Sequence, residues 1–199
     1  MPARNIVKTY AEDAYYHVYN RGVSKQNIFL DEKDFVVFLS LFKRYLSSEP
    51  QLQPNGQKYP SFRGDVTLMA YCLMPNHYHL LLHQQSRDGM QHFLKSLGVA
   101  YSMYFNKRYS HVGAVFQQRY RAARMTGDAQ FIHASRYIHM NPKEYYEWQW
   151  SSLRYYLGDT PPDWLSITRV PDIADYRKFL DEYASRREEL KRLGDILAG

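Results

Sequence analysis

The sequence predicts an α+β domain of ferredoxin-like, split βαβ type: a small antiparallel sheet with helices packed on one face, followed by a C-terminal helical extension. Three observations lead there. Segments with strand and helix character alternate in the order strand, helix, strand, strand, helix, strand, helix. Two apolar runs, VTLMAYCLM and HYHLLLHQ, are separated only by a Met-Pro-Asn turn, which is the mark of a hairpin. The run DEKDFVVFLSLFKRYL carries Phe35, Phe38, Leu39 and Phe42 at helical spacing behind an acidic start.

Taken in order, residues 1–13 form an N-terminal tail. Tyr15–Arg21, rich in aromatic and β-branched residues and ended by Gly22, predicts the first strand. A helix follows over Asp31–Leu46. Residues 47–65 carry Pro50, Pro54, Asn55-Gly56 and Pro60 and predict an exposed loop. The hairpin strands span Val66–Met74 and His77–Gln84. Met90–Phe105 predicts a second helix and Asn106–Gly113 a basic loop. Arg121–Met125 is favoured as the last strand within the ambiguous stretch from Val115. A helix then runs from Asp128 to about His139, where Pro142 biases Asn141 away from helical geometry. Tyr145–Leu157 reads as helix, and Asp172–Leu197 alternates charge as a solvated helix. Residues 14–160 form the domain and 161–199 the extension.

Composition narrows the function. The chain has 199 residues, 45% hydrophobic and 23% charged, which excludes a wholly disordered protein. A net charge of +6 hints at a polyanionic partner. The single cysteine, Cys72, excludes an intrachain disulfide and a cysteine-cluster zinc site. No run reaches the ~20 apolar residues of a membrane span, and the N-terminus has no apolar core of a secretory signal, so the expected location is cytoplasmic. Nineteen tyrosines invite both packing and chemistry.

Three features carry chemistry. His77 and His79 sit at i and i+2 of a strand, so both imidazoles project from one face. That is a ready pair of metal ligands, and also a pattern that two ordinary strand histidines satisfy. Tyr137 and Asn141 are four residues apart, with His133 four residues before them. On one helix face they suit a nucleophile beside an amide ligand; equally, the tyrosine can pack on the sheet and the asparagine cap the helix. Finally, Tyr101–Tyr109 and Phe116–Arg124 interleave cations and rings, the composition of a single-strand binding surface and of a solvated basic loop beside core aromatics alike.

Together these stretches resemble the single-tyrosine HUH (IS200-like) transposases, and among them the REP-associated tyrosine transposases. The likeness runs in register through YHVYNRG at 16–22, LMPNHYHLLL at 73–82, YSMYFNKRYSHVGAVFQQRYRA at 101–122, RYIHMNP at 136–142 and WQWSSLRYYLG at 148–158. One position departs: Tyr78 stands between the histidines where the family has a bulky hydrophobe, a slot that tyrosine fits. The resemblance implies an HUH nuclease fold, with His77, His79 and Asn141 as ligands of Mg²⁺ or Mn²⁺. Tyr137 is implied as the nucleophile, forming a 5′-phosphotyrosine intermediate on single-stranded DNA from hairpin-bearing repeats. Arg119, Arg121, Arg124, Lys107, Arg108 and Tyr120 are the expected DNA contacts, and the protein is expected to act as a monomer or homodimer. A non-catalytic nucleic-acid binder on the same scaffold, or a metal-dependent hydrolase that does not use the tyrosine, are the other classes this residue set allows.

Overall fold

Every second residue of Ala14–Arg21 is buried, and this alternation sets the first strand, β1. The computed structural model describes residues 10–167 and 176–184. After β1 come α1 (Glu32–Leu46), β2 (Val66–Met74), β3 (His77–Gln84), α2 (Gly89–Tyr109), β4 (Arg121–Met125), α3 (Asp128–His139) and the short α4 (Leu153–Tyr156). The four strands form one antiparallel sheet in the order β2-β3-β1-β4. This is the expected split βαβ arrangement, and the hairpin strands begin and end at the predicted residues.

The two inner strands are covered on both faces. From β3, Tyr78, Leu80 and Leu82 enter one core with Phe38, Phe42, Phe93, Leu97 and Tyr101 of α1 and α2. Leu81 points the other way and joins Met69, Cys72, Phe131 and Ile138 in a second core. The expectation of helices on one face therefore holds for α1 and α2 only. Because β3 is apolar on both sides, its second face needs cover too, and α3 supplies it.

The turn between β2 and β3 is tied to the loop after β1. The backbone N–H groups of Ile28 and Phe29 both donate to the Pro75 carbonyl, and that of Gly22 to Asn76. Glycine is required at position 22 by close approach: a Cβ there would lie 2.3 Å from the Gln26 carbonyl oxygen.

Two sequence expectations change. Residues 106–109, expected as loop, are the last turn of α2, which ends at Ser110 in a left-handed conformation. The reason lies in Asp34, a fully buried carboxylate on α1. It accepts hydrogen bonds from Tyr104 Oη (2.8 Å), Tyr109 Oη (2.9 Å) and the Arg108 guanidinium (2.8 Å), so α2 must continue far enough to deliver them. Residues 145–157, expected as helix, are helical only over Leu153–Tyr156. Here the backbone bonds to the edge of β2 instead: Leu73 N–H donates to the Trp150 carbonyl and Ser152 N–H to that of Tyr71. The Trp148 indole also donates to the Leu73 carbonyl at 2.9 Å, so the segment caps an edge that would otherwise be open.

Of the predicted helix over Asp172–Leu197, residues 176–184 are described and are helical; the remainder lies outside the described residues. Tyr176 and Leu180 are buried in the second core. Tyr176 Oη lies 2.6 Å from Nδ1 of the fully buried His139, whose Nε2 meets Ser152 Oγ at 2.7 Å. Among the described residues no helix is long and apolar enough to cross a membrane.

Burial pushes the His139 pKa down from 6.5 to about 3. Above about pH 6.5 the imidazole is neutral folded or unfolded; below it the unfolded chain takes up a proton that the folded protein refuses, so stability falls with pH. The urea midpoint is expected to drop between pH 7 and pH 5. In His139→Gln the midpoint at pH 7 is lower, but the difference between the two pH values is smaller.

Candidate active site

His77 and His79 project from β3 on the side of Leu81, toward α3. His79 is 5% exposed and His77 half-buried. Asn141 lies two residues beyond the end of α3 and reaches between them: its Oδ1 is 3.1 Å from His77 Nε2 and its Nδ2 3.4 Å from His79 Nε2. The helix does not persist to Asn141, as Pro142 foretold, yet the amide stays on the face that carries Tyr137.

The proton positions follow from the neighbours. His77 Nδ1 lies 2.6 Å from Asn76 Oδ1, and the Asn76 amide is oriented by its own donation to the Lys25 carbonyl at 3.1 Å. Nδ1 must therefore carry the hydrogen, and Nε2 presents a bare lone pair. That lone pair faces another, on Asn141 Oδ1. Protonating His77 would relieve the repulsion, but burial lowers its pKa, against a smaller opposite effect of the Asn141 hydrogen bond, with the charge of Arg21 adding the least. For His79 burial leads again, with His17, His77 and Arg21 adding to it, and its pKa falls to about 2. Two neutral imidazoles with their Nε2 atoms toward one amide, whose oxygen faces His77, are a donor set that could hold a divalent cation. Two adjacent ligands at ~2.1 Å from an octahedral Mg²⁺ stand ~3.0 Å apart, close to the separation seen. Two imidazoles and one amide also leave positions for water and phosphate oxygens. Among the described residues no group of three His, Cys, Asp or Glu side chains is placed to hold a metal, so this neutral set is the site to consider.

Tyr137, in the last turn of α3, stands beside it. Its ring meets that of His79 edge-on, centroids 5.5 Å apart, and that of His17 at 5.6 Å. Where Tyr71, Tyr78, Tyr101, Tyr156 and Tyr176 are all at most 2% exposed and serve as core, Tyr137 is 55% exposed. Packing does not account for it.

The histidines and Tyr137 line a cavity of about 1020 Å³ between α3 and the β1–β4 side of the sheet. Of the expected DNA contacts, Arg121 and Arg124 line it. Arg119 is exposed outside its lining, its carbonyl held by Asn20 at 2.7 Å. Tyr120 stacks on Tyr10 and packs against the first core. Lys107 and Arg108 belong to α2, across the sheet, and Arg108 is engaged by Asp31 and Asp34. His133 lines the cavity and accepts from the Arg136 guanidinium at 2.7 Å.

Sequence reasoning missed His17, Arg21, Gln117 and Gln118, which also line the cavity. For two of them a signal existed: in YHVYNR the buried residues Tyr16, Val18 and Asn20 alternate with His17, Tyr19 and Arg21, which places the latter three together on the site's face. Gln117 and Gln118 come from an irregular segment, where no periodicity reports direction.

Residues 61–141, a stretch that contains His77, His79, Tyr137 and Asn141, match the family model described as "Transposase IS200 like". No curated protein sequence matches the chain. Among solved structures, a REP-associated tyrosine transposase bound to a REP hairpin superposes with a TM-score of 0.54 at 13% identity, over 83% of this chain and 94% of that one. At that identity the likeness is one of fold, and it is the fold built here from the sheet upward. Over residues 61–141, then, this chain is similar to the IS200-like transposases.

Proposed function

We propose that the protein cleaves and rejoins single-stranded DNA of hairpin-forming repeats, with Tyr137 as the nucleophile. One observation carries this reading: an exposed tyrosine at the wall of an arginine-lined cavity, beside two imidazoles whose Nε2 atoms both face the Asn141 amide. The structural neighbour was solved on a REP hairpin, which supports a hairpin substrate.

His77, His79 and Asn141 would hold Mg²⁺ or Mn²⁺. Such a cation, when bound, would act as a Lewis acid on a phosphate oxygen and offset the negative charge of the phosphoryl oxygens. Arg121 and Arg124 at the cavity wall bind and orient the DNA backbone. The Tyr137 hydroxyl oxygen attacks the scissile phosphorus. The bond from Oη to phosphorus forms as the bond from phosphorus to the 3′ oxygen breaks. In net terms the phenol proton ends on that oxygen, which leaves a free 3′-OH and a 5′-phosphotyrosine. Attack by a DNA 3′-OH reverses the step and joins strands, with no external energy source, because one phosphodiester replaces another.

Hairpin oligonucleotides labelled at either end, incubated with protein and Mg²⁺ or Mn²⁺, are expected to give a covalent protein–DNA band on a denaturing gel. EDTA and Tyr137→Phe abolish it, while Tyr137→Phe still binds DNA. Metal-dependent cleavage undiminished in Tyr137→Phe would identify a hydrolase, and binding without cleavage a DNA-binding module.

The two cavity arginines make a separate prediction. On single strands, each phosphate that a side chain neutralises adds about 0.7 to the steepness with which log affinity falls against log salt. Arg121→Ala and Arg124→Ala are each expected to flatten the slope by that amount in a salt titration followed by fluorescence anisotropy. Arg108→Ala is expected to lower the unfolding midpoint, since it uncovers the buried Asp34 carboxylate, and to leave the salt slope unchanged.

A further inference from the structure

His17 lies on β1, diagonally across from His79 on the same face of the sheet: Tyr19 is the direct partner of His79 and Leu81 that of His17. Its Nε2 is 2.8 Å from His79 Nδ1. The two rings lie within 20° of one plane, with centroids 5.1 Å apart, so the contact runs edge to edge along the ring plane as a hydrogen bond requires. Both nitrogens of His79 are therefore directed. Nδ1 meets His17, and Nε2 faces the Asn141 amide and the space beside His77.

We infer that His17 is a positioning residue for the metal site, one that holds His79 in the tautomer that leaves Nε2 bare toward a divalent cation. This rests on the metal reading of the site given above. A neutral imidazole carries one N–H and one lone pair. For His79 to ligate through Nε2, its hydrogen must sit on Nδ1 and be donated. His17 Nε2 accepts it, which leaves the hydrogen of His17 on its own Nδ1. His77 is treated in the same way, with Asn76 Oδ1 accepting from its Nδ1 at 2.6 Å. Each imidazole thus has a separate acceptor behind it, and both bare nitrogens converge on Asn141. The acceptors differ in kind from the carboxylate that commonly stands behind a metal-bound histidine. Both are neutral, so neither dilutes the positive charge available to a phosphate.

The test is Mn²⁺ binding to the metal-free protein, read from the free-ion signal in electron paramagnetic resonance, with no DNA present. His17→Phe keeps a ring in place but has no acceptor. His17→Gln loses the ring but can place an amide oxygen near the former Nε2. Loss of such an outer partner typically weakens a site by about 10–100-fold, and that loss is expected for His17→Phe. His17→Gln is expected to bind within about threefold of wild type, since an acceptor is what the position supplies. In parallel, ¹⁵N shifts of the His79 ring in metal-free protein report the tautomer directly: Nδ1–H in wild type and His17→Gln, and a shift toward Nε2–H in His17→Phe. Wild-type affinity in His17→Phe, or equal loss in both variants with the tautomer unchanged, overturns the inference. His79→Ala separates it from the reading it rests on. Mn²⁺ uptake by wild type that His79→Ala abolishes keeps the metal site whatever His17 does, and no uptake by wild type overturns both.

Discussion

The period of β3 is the constraint from which the rest of the molecule follows. A strand turns successive side chains to opposite faces, and this strand must serve both. Tyr78, Leu80 and Leu82 go into the core under α1 and α2, and Leu81 goes into the core under α3. That leaves His77 and His79 on the second face at the end of the strand where apolar cover runs out. A shift of one residue in register would put both imidazoles into a dry core of phenylalanines and Tyr78 into the cleft. The hairpin turn prevents it. Pro75 and Asn76 are held by backbone donors from Ile28, Phe29 and Gly22, which fixes the position of the first residue of β3. The turn that aligns the sheet also sets Asn76 beside His77, so the fold and the protonation of the site depend on the same few atoms.

Three buried or half-buried histidines on that face show how burial is used. His139 is enclosed and its two nitrogens end on hydroxyls of Tyr176 and Ser152, which rotate to donate or accept as needed. It is a satisfied core residue. His77 and His79 have close partners, at 2.6 and 2.8 Å, only on their rear nitrogens. The front nitrogen of His79 meets only the Asn141 Nδ2 at 3.4 Å, and that of His77 opposes the amide oxygen, which is not a donor, an arrangement that costs free energy in a merely structural site. Neutrality is enforced by burial in all three, but only in the pair does it leave lone pairs with a common direction. Chemistry and packing are thus told apart here by what stands at the second nitrogen rather than by how deep the ring lies.

Much of this was legible in the residues, because it rests on local periodicity. The hairpin, β4 and the start of α1 follow from alternation, turn residues and an acidic N-cap, and Asp31 does accept from the Asp34 N–H. The pairing of His77 with His79 needed only a period of two. What was not legible depends on partners distant in sequence. The last turn of α2 exists because Asp34, far back on α1, needs Arg108 and Tyr109. Residues 145–152 forgo a helix because the edge of β2 offers their backbone groups better-placed partners. Lys107 and Arg108 read as part of one basic surface with Arg121 and Arg124, yet the sheet stands between them. His17 carried a usable signal that its position in a short aromatic strand concealed: only the register of β1 on β3 shows which histidine it meets.

Tyr137, the proposed nucleophile, is held in place through α3. Tyr137 lies in the last turn of α3 and Asn141 two residues beyond its end, so a displacement of α3 would withdraw the proposed nucleophile and an amide of the proposed cation site together. α3 is fastened on its far side, away from the cavity. His139 and Ser135 bond to Tyr176 Oη, Ile138 packs with Leu180, and the Arg136 guanidinium lies over the rings of Phe179 and Tyr183 at 4.5 and 3.8 Å. All of these partners lie in residues 176–184. Within one chain, then, the C-terminal helical segment sets where α3 lies, α3 sets where Tyr137 and Asn141 lie, and β3 sets where His77 and His79 meet them. In the arrangement seen here Tyr137 stands beside the histidines of its own chain, and hydrogen bonds, apolar packing and aromatic contacts on the side of α3 away from the cavity keep it there.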